Sequence, residues 1–435
     1  MTKKGLSRRD FLKVSATASA GAMLNSKFGV PAFIRRQGDP DYSDAAKVGE
    51  ALKAEGATVQ MSSWGFSGLS SSIIPDQFAA YTQKQYGVSV KLNWTGSSVI
   101  EQSMTTLPLV GKRIADAGWD VIDKEEDSYA PILALDWTEP IDLPQYKPLL
   151  THLADVEEPY IFHEKDMAQD GADIYGLAYQ GFEWFQGVLR KDKVDTSNYK
   201  DWTDLGRDEL AKKGIDYPFN DWRGQAVFIG ILNSLIKQGT VTGDLWSEDA
   251  WTAGITWWKD HMEDKINVYG DIGNDPSKQL LLQTGEAWWG TTWGSYTRGL
   301  LGTDWNKKDD LLFPFYPSSG LPADRETLRA LKGSTHPVAA RVLINWMVSD
   351  EFQNIGWYKE SEGADAVNHW NVNESQYLTC YTGGVTKSNR AVSPDWSKPY
   401  YPADPGSLIL PVNWTWFFPE KQWISDTYAH IVQGA

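Results

Sequence analysis

The chain of 435 residues carries 57 acidic against 41 basic side chains, a net charge of −16, which repels phosphate backbones and argues against nucleic acid as a partner. Its single cysteine, Cys380, excludes an intramolecular disulfide, and a chain this long can do without one by burying its surface in two lobes. The unusual feature is aromatic, with 22 Trp beside 19 Tyr and 15 Phe. An indole N–H wants a partner when buried, so part of this set is expected to line a ligand site.

Residues 7–24, SRRDFLKVSATASAGAML, pair two arginines with a short, weakly apolar run that cannot span ~30 Å of hydrocarbon. The spacing of Ser7, Arg8, Arg9, Phe11, Leu12 and Lys13 resembles the twin-arginine export signal. Residues 1–36 are therefore read as a signal segment, either cleaved or kept as an anchor. They hold eight basic side chains and one acid, so the remainder carries 33 basic against 56 acidic residues, a net of −23. Residues 37–56 are polar, helix-prone at best, and read as a leader linking the signal to the domain.

The periodic segments follow. ATVQMSSW (57–64) reads as a strand, IIPDQFAAYTQKQYG as a helix and VSVKLNW (88–94) as a second strand. In the helix Ile74, Phe78 and Tyr81 share a face, Pro75 suits the first turn and Gly87 the end. Strand, helix and strand make a βαβ unit and hence a parallel sheet. GWDVID (118–123) is a strand, SYAPILALDW (128–137) a helix and TEPID (138–142) an extended exit. Residues 173–194 read as two strands with a crossing between them. Helices are expected over 225–239 and 247–264, and a strand running into a glycine-broken loop over 285–299. The stretch from Thr327 reads as a strand, a cap at Ser334/Thr335, and a helix with the ladders Val338, Val342, Trp346 and Ala339, Leu343, Met347.

Motifs for catalysis are sparse. The six histidines are scattered without metal-ligand spacing, and no phosphate loop, dinucleotide fingerprint or nucleophile elbow occurs. DKEED (123–127) offers clustered carboxylates, for acid–base work, for calcium or as a solvated loop. Aromatics recur where strands end in glycine-containing loops: Trp64-Gly65, Tyr179-Gln180-Gly181, Trp289-Gly290 and Trp293-Gly294. Ligands of open parallel sheets collect beyond the carboxyl ends of the strands, where indole faces stack on sugar rings or attract ammonium groups.

Five stretches in order resemble the periplasmic solute-binding proteins of ABC importers, in the branch with polyamine-, iron- and sugar-binding members. They are SSWGFSGLSSSIIPDQFAAYTQKQYGVSVKL, WDVIDKEEDSYAPILALDWTEPID, IYGLAYQGFEWFQGVLRKDKV with SNYKDWTDL, GEAWWGTTWGS, and ALKGSTHPVAARVLINWMVSDEFQ. The resemblance spans about residues 57–360 and fades in the last 70. It implies a two-lobed α/β fold, type II-like, each lobe a mainly parallel sheet flanked by helices, with a ligand cleft between lobes. The N-terminal lobe would comprise 57–177 and 294–348, the C-terminal lobe 178–293 and 349–435.

Carried over residue by residue, the resemblance puts Trp64, Gly65, Lys124, Glu125 and Glu126 on one cleft wall and Tyr179 and Gln180 at a crossing. Asp221, Trp222 and Arg223 would lie on the far lobe, with Trp293, Ser295 and Tyr296 at the second crossing and Arg298 nearby. Polyamine binders hold ammonium groups on paired acids of the far lobe. Asp221 matches one, but Gly224 and Gln225 stand where the second is expected, which leaves a polyamine, a sugar or an organic anion open. The expected protein is a monomeric periplasmic receptor without metal or cofactor that serves membrane permease subunits and does no chemistry. The alternative is an exported carbohydrate hydrolase or lyase using Glu125, Glu126 or Glu183.

Overall fold

A helix precedes the first predicted strand. The computed structural model describes residues 41–63, 73–96, 115–125, 137–156, 158–163, 171–179, 182–294, 311–352 and 408–434, with Leu107, Lys112 and Leu300 besides. Helix α1 (Ala45–Ala54) starts on an Asp44 side-chain cap and buries Val48 and Leu52 in the core. Its Gly49 is a close-packing position, since a Cβ there would lie 2.2 Å from the Tyr86 carbonyl oxygen. From Ala45 onward the segment read as a helix-prone leader forms this helix, and a short apolar stripe on a polar helix is enough to dock it.

The first βαβ unit forms as its spacing predicts. Strands β1 (Thr58–Ser63) and β2 (Lys91–Gly96) pair in parallel across helix α2 (Ile73–Tyr86), and β3 (Val121–Glu125) lies parallel on the other side of β1. Ile74, Phe78 and Tyr81 are buried, and Gly87 closes the helix at φ +68°. The helix expected over 128–137 lies outside the described residues apart from Trp137.

Short strands β4 (Thr138–Glu139), β5 (Ile161–His163) and β6 (Ile174–Leu177) lead to the long β7 (Phe182–Arg190). A second α/β half follows: β8 (Gly214–Asp216), α3 (Trp222–Lys237), α4 (Glu248–His261), β9 (Ile266–Tyr269), α5 (Pro276–Thr284), β10 (Trp289–Trp293) and β11 (Leu312–Phe315). The chain returns through β12 (Leu321–Leu331) to α6 (Pro337–Met347), then β13 (Ile409–Pro411) and α7 (Trp414–Tyr428). No helix among the described residues is long and apolar enough to cross a membrane.

The strands order as β2-β1-β3-β12-β7-β10-β8-β9. The sheets are mixed, which corrects the mainly parallel expectation. β12 runs antiparallel to β3, β4, β6 and β7, and β7 antiparallel to β10 and β11. The reason is topological. βαβ units lay strands parallel, but the two long strands that carry the chain between the halves return against that direction. Their ladder, Ala323↔Trp184, Asp324↔Glu183 and Arg325↔Phe182, joins the halves.

Helix α6 is buried from Val338 to Met347, both predicted ladders included. Its cap differs from the expected Ser334/Thr335. His336 occupies the N-cap position without a side-chain cap, while Ser334 Oγ accepts from His336 N and donates to Asp120. The free amides of Val338 and Ala339 donate instead to the two oxygens of Glu55, each at 3.0 Å, from the end of α1. Burial raises the Glu55 pKa and outweighs those amides. Removing this carboxylate takes away a helix cap that links two helices. Glu55→Ala is expected to lower stability by about 1–2 kcal/mol in urea denaturation.

Candidate functional site

At the carboxyl ends of β1 and β3, Asp123 Oδ2 accepts from Ser63 Oγ at 2.8 Å and from the Tyr179 hydroxyl at 2.9 Å. Tyr179 is buried and its ring lies 6.0 Å from that of Phe352. Lys124 is fully buried on β3, and its carbonyl accepts from Thr327 on β12. This half therefore presents a serine, a carboxylate and a phenol locked together, rather than a freely exposed tyrosine.

The second half is more aromatic. β8 ends at Asp216, and the chain turns through Tyr217 and Phe219 into α3, whose N-cap is Asp221. Asp221 accepts from the Arg223 amide at 2.9 Å, and both its oxygens take the Arg223 guanidinium, at 3.0 and 2.7 Å. Arg223 also reaches Asp271 at 3.4 Å and lies over the Tyr217 ring, 4.5 Å from its centroid. Burial pulls the Asp221 carboxyl up, but the Arg223 side chain and amide outweigh it and hold it below its ordinary value. The Asp221 carboxylate in turn raises the Arg223 pKa.

Beside this ion cluster stands a ring assembly. Phe185 on β7 faces Trp293 on β10 across the ladder, with centroids 3.7 Å apart. It meets Trp222 edge-on at 5.9 Å and Tyr217 at 6.2 Å. Trp222 in turn meets Trp414 of α7 at 4.7 Å. Beneath them Asp216 is fully buried. One of its oxygens accepts from the Tyr217 amide and the Thr291 hydroxyl, and the other has no partner. Burial pushes the Asp216 pKa up to about 7, against those two donors. The Tyr217 hydroxyl is buried near Asp271 and Thr292 but reaches neither in hydrogen-bond geometry, and burial raises its pKa.

Of the residues expected at the site, the structure gathers Trp222, Arg223 and Asp221 at the start of α3 and brings Trp293 to the same rings through Phe185. Lys124 and Tyr179 belong to the other half. Trp64, Gly65, Glu126, Gln180, Ser295, Tyr296 and Arg298 lie outside the described residues, as do the side chains of Glu125 and Glu183. Sequence reasoning missed Phe185, Asp216, Tyr217, Asp271 and Trp414. Tyr217 had a readable signal, an aromatic just beyond the carboxyl end of a strand. Trp414 had none, because its contact lies almost two hundred positions away.

Position 224 is closed to a side chain, since a Cβ there would lie 2.3 Å from the Pro218 carbonyl oxygen and 2.9 Å from that of Tyr217, and the neighbouring position holds the buried, neutral Gln225. Among the described residues no group of three or more His, Cys, Asp or Glu could hold a metal ion.

Comparison with known proteins adds to this geometry. The fold resembles that of an ABC transporter protein from Clostridium perfringens, with TM-score 0.60, 16% identity, and coverage of 86% of this chain and 99% of that one. An extracellular solute-binding protein from Bordetella parapertussis gives 0.59 and 17%, covering 86% and 98%. A spermidine/putrescine ABC transporter substrate-binding protein from Streptococcus pneumoniae gives 0.56 and 13%, covering 86% and 99%. No curated protein matches the sequence. The family model described as bacterial extracellular solute-binding protein matches residues 76–364, more than half the chain. The chain belongs to the bacterial extracellular solute-binding proteins.

Proposed function

We propose that this protein is the periplasmic receptor of an ABC importer, exported through its Ser7–Lys13 twin-arginine segment, and that it hands a small polar organic solute to membrane permease subunits. The observation that carries this reading is the aromatic assembly of Tyr217, Trp222 and Trp293 at the carboxyl ends of the parallel strands β8 and β10, joined by Phe185 from the antiparallel β7, in a chain of this family. The ligand is a polyamine-like amine or a sugar, bound without conversion.

The two lobes are residues 57–177 with 294–348, extended by α1, and 178–293 with 349–435. The β7–β12 ladder is their hinge. Ligand first meets one lobe, and the groups of the other engage when the lobes close, so binding shifts the population toward the closed form. Trp64, Gly65, Lys124, Glu125 and Glu126 serve one wall, and Asp221, Trp222 and Arg223 the other. Tyr179 and Gln180 serve at the first crossing between the lobes, and Trp293, Ser295 and Tyr296 at the second, with Arg298 nearby. The receptor acts as a monomer.

A thermal-shift screen of the full chain against polyamines, sugars and organic acids at millimolar concentration tests this. One class is expected to raise the melting temperature, because a ligand present at 100 times its Kd stabilises by about 2.7 kcal/mol. No shift from any class overturns the reading.

A further inference from the structure

Resting on the receptor reading above, we infer that the C-terminal helix α7 forms part of the ligand site, and that the ligand is a neutral polyhydroxylated solute, a sugar or polyol, whose hydroxyls pair with the indole N–H groups of Trp222 and Trp414 and the amide oxygen of Gln225.

Trp222 Nε1, Trp414 Nε1 and Gln225 Oε1 are buried without a hydrogen bond, in side chains more than nine-tenths buried. The structure brings them to one seam. The Trp222 and Trp414 rings meet at 4.7 Å, and Gln225, one turn along α3 from Trp222, reaches Ser425 of α7 through its other amide atom at 3.5 Å. Indoles of Trp289 and Trp346 also lack partners, but they sit elsewhere, at the start of β10 and within α6. Buried polar groups are nearly always satisfied, so three in one seam mark a place where a partner arrives from outside. Two neutral donors and a neutral acceptor beside flat rings suit hydroxyl groups and the apolar face of a sugar.

Charge argues the same way. The acid expected to hold an ammonium group, Asp221, has both oxygens on Arg223, and where a second acid is expected position 224 is closed to a side chain and position 225 holds the neutral Gln225. Asp271 is shared among Arg223 and the amides of Gly273 and Asn274. Two carboxylates around one guanidinium leave a net negative cluster, which disfavours a carboxylate or phosphate ligand. Asp216 is enclosed on β8 and holds a proton near neutrality, so it offers a cation little. Helix α7 lies beyond the stretch that the family model matches.

Isothermal calorimetry on the full chain decides the matter, with glucose, maltose, trehalose and mannitol against putrescine, spermidine and glutamate. A neutral probe is expected to bind and the charged ones not. Trp414→Phe, which keeps a ring and deletes the N–H, is expected to weaken that binding about 5- to 10-fold. If Trp414→Phe does not fold, Gln225→Met removes the unpaired oxygen at nearly constant shape and is expected to weaken binding similarly. Binding of an amine or of glutamate in place of the neutral probes overturns this inference and leaves the receptor reading standing. Neutral-probe binding of unchanged affinity in the folded variants also overturns it. Silence from every probe overturns both.

Discussion

Replacing Arg341 by methionine is expected to destabilise the protein by about 3–5 kcal/mol, because it strands a buried carboxylate. Arg341 is fully buried in α6 and donates to Glu139 Oε1 at 2.6 Å and to the Pro140 carbonyl at 3.1 Å. Its guanidinium also lies 4.4 Å from the centroid of the Tyr146 ring. Glu139, on β4, is itself buried and loses its counter-charge in the variant. The double variant Glu139→Gln/Arg341→Met is expected to recover much of the loss, since the pair is then removed rather than broken. Urea denaturation of the two single variants, the double variant and the parent measures the coupling. Additive losses would show that the pair contributes nothing beyond its separate side chains. By contrast, loss of the exposed Lys47–Asp44 pair at 4.0 Å is expected to change stability by well under 1 kcal/mol.

Asp216→Asn is expected to make the protein more stable at pH 8 than the parent and to leave it nearly unchanged at pH 4. Burial raises the folded-state pKa of Asp216 from 3.8 to about 7. A carboxyl raised on folding contributes stability that is fully present below its unfolded pKa. That contribution is lost as pH rises through the folded value. The window therefore runs from about pH 4 to pH 7, and the full difference is on the order of 4 kcal/mol. The neighbouring groups are Tyr217, with Arg223 and Asp271 beyond it, and Tyr269, whose pKa is raised by burial and partly by the Asp216 charge. The asparagine keeps an oxygen for Thr291 and the Tyr217 amide, so the difference between the two pH profiles isolates the carboxyl. Melting curves of both proteins from pH 4 to pH 8 that run parallel would refute the assignment.

Helical periodicity carried much of the architecture. α2 forms on Ile74, Phe78 and Tyr81, α3 and α4 begin and end within about three residues of the expected spans, and both ladders of α6 are buried. Strand direction was not legible, because alternation and apolar runs look the same in either orientation, and β7 and β12 turned out antiparallel to most of their neighbours. Nor was the cap of α6, which comes from Glu55, 283 positions away from Val338. The site shows the same division. Asp221, Trp222 and Arg223 adjoin in the sequence, so their shared position could be read, but the Arg223 guanidinium that neutralises Asp221 could not. Phe185 and Trp414 join the rings through tertiary contacts that no local pattern encodes. Cross-strand pairing brings in the first, and docking of α7 the second.

The two α/β halves joined by β7 and β12 are expected to close around a solute held by the rings at the start of α3. Small-angle X-ray scattering of the full chain, with and without the solute that the calorimetric panel identifies, measures that closure directly. A lower radius of gyration at saturating solute, reversed on dialysis, is the predicted result. An unchanged radius with the solute demonstrably bound would mean that the halves do not move, and the hinge would have to be abandoned.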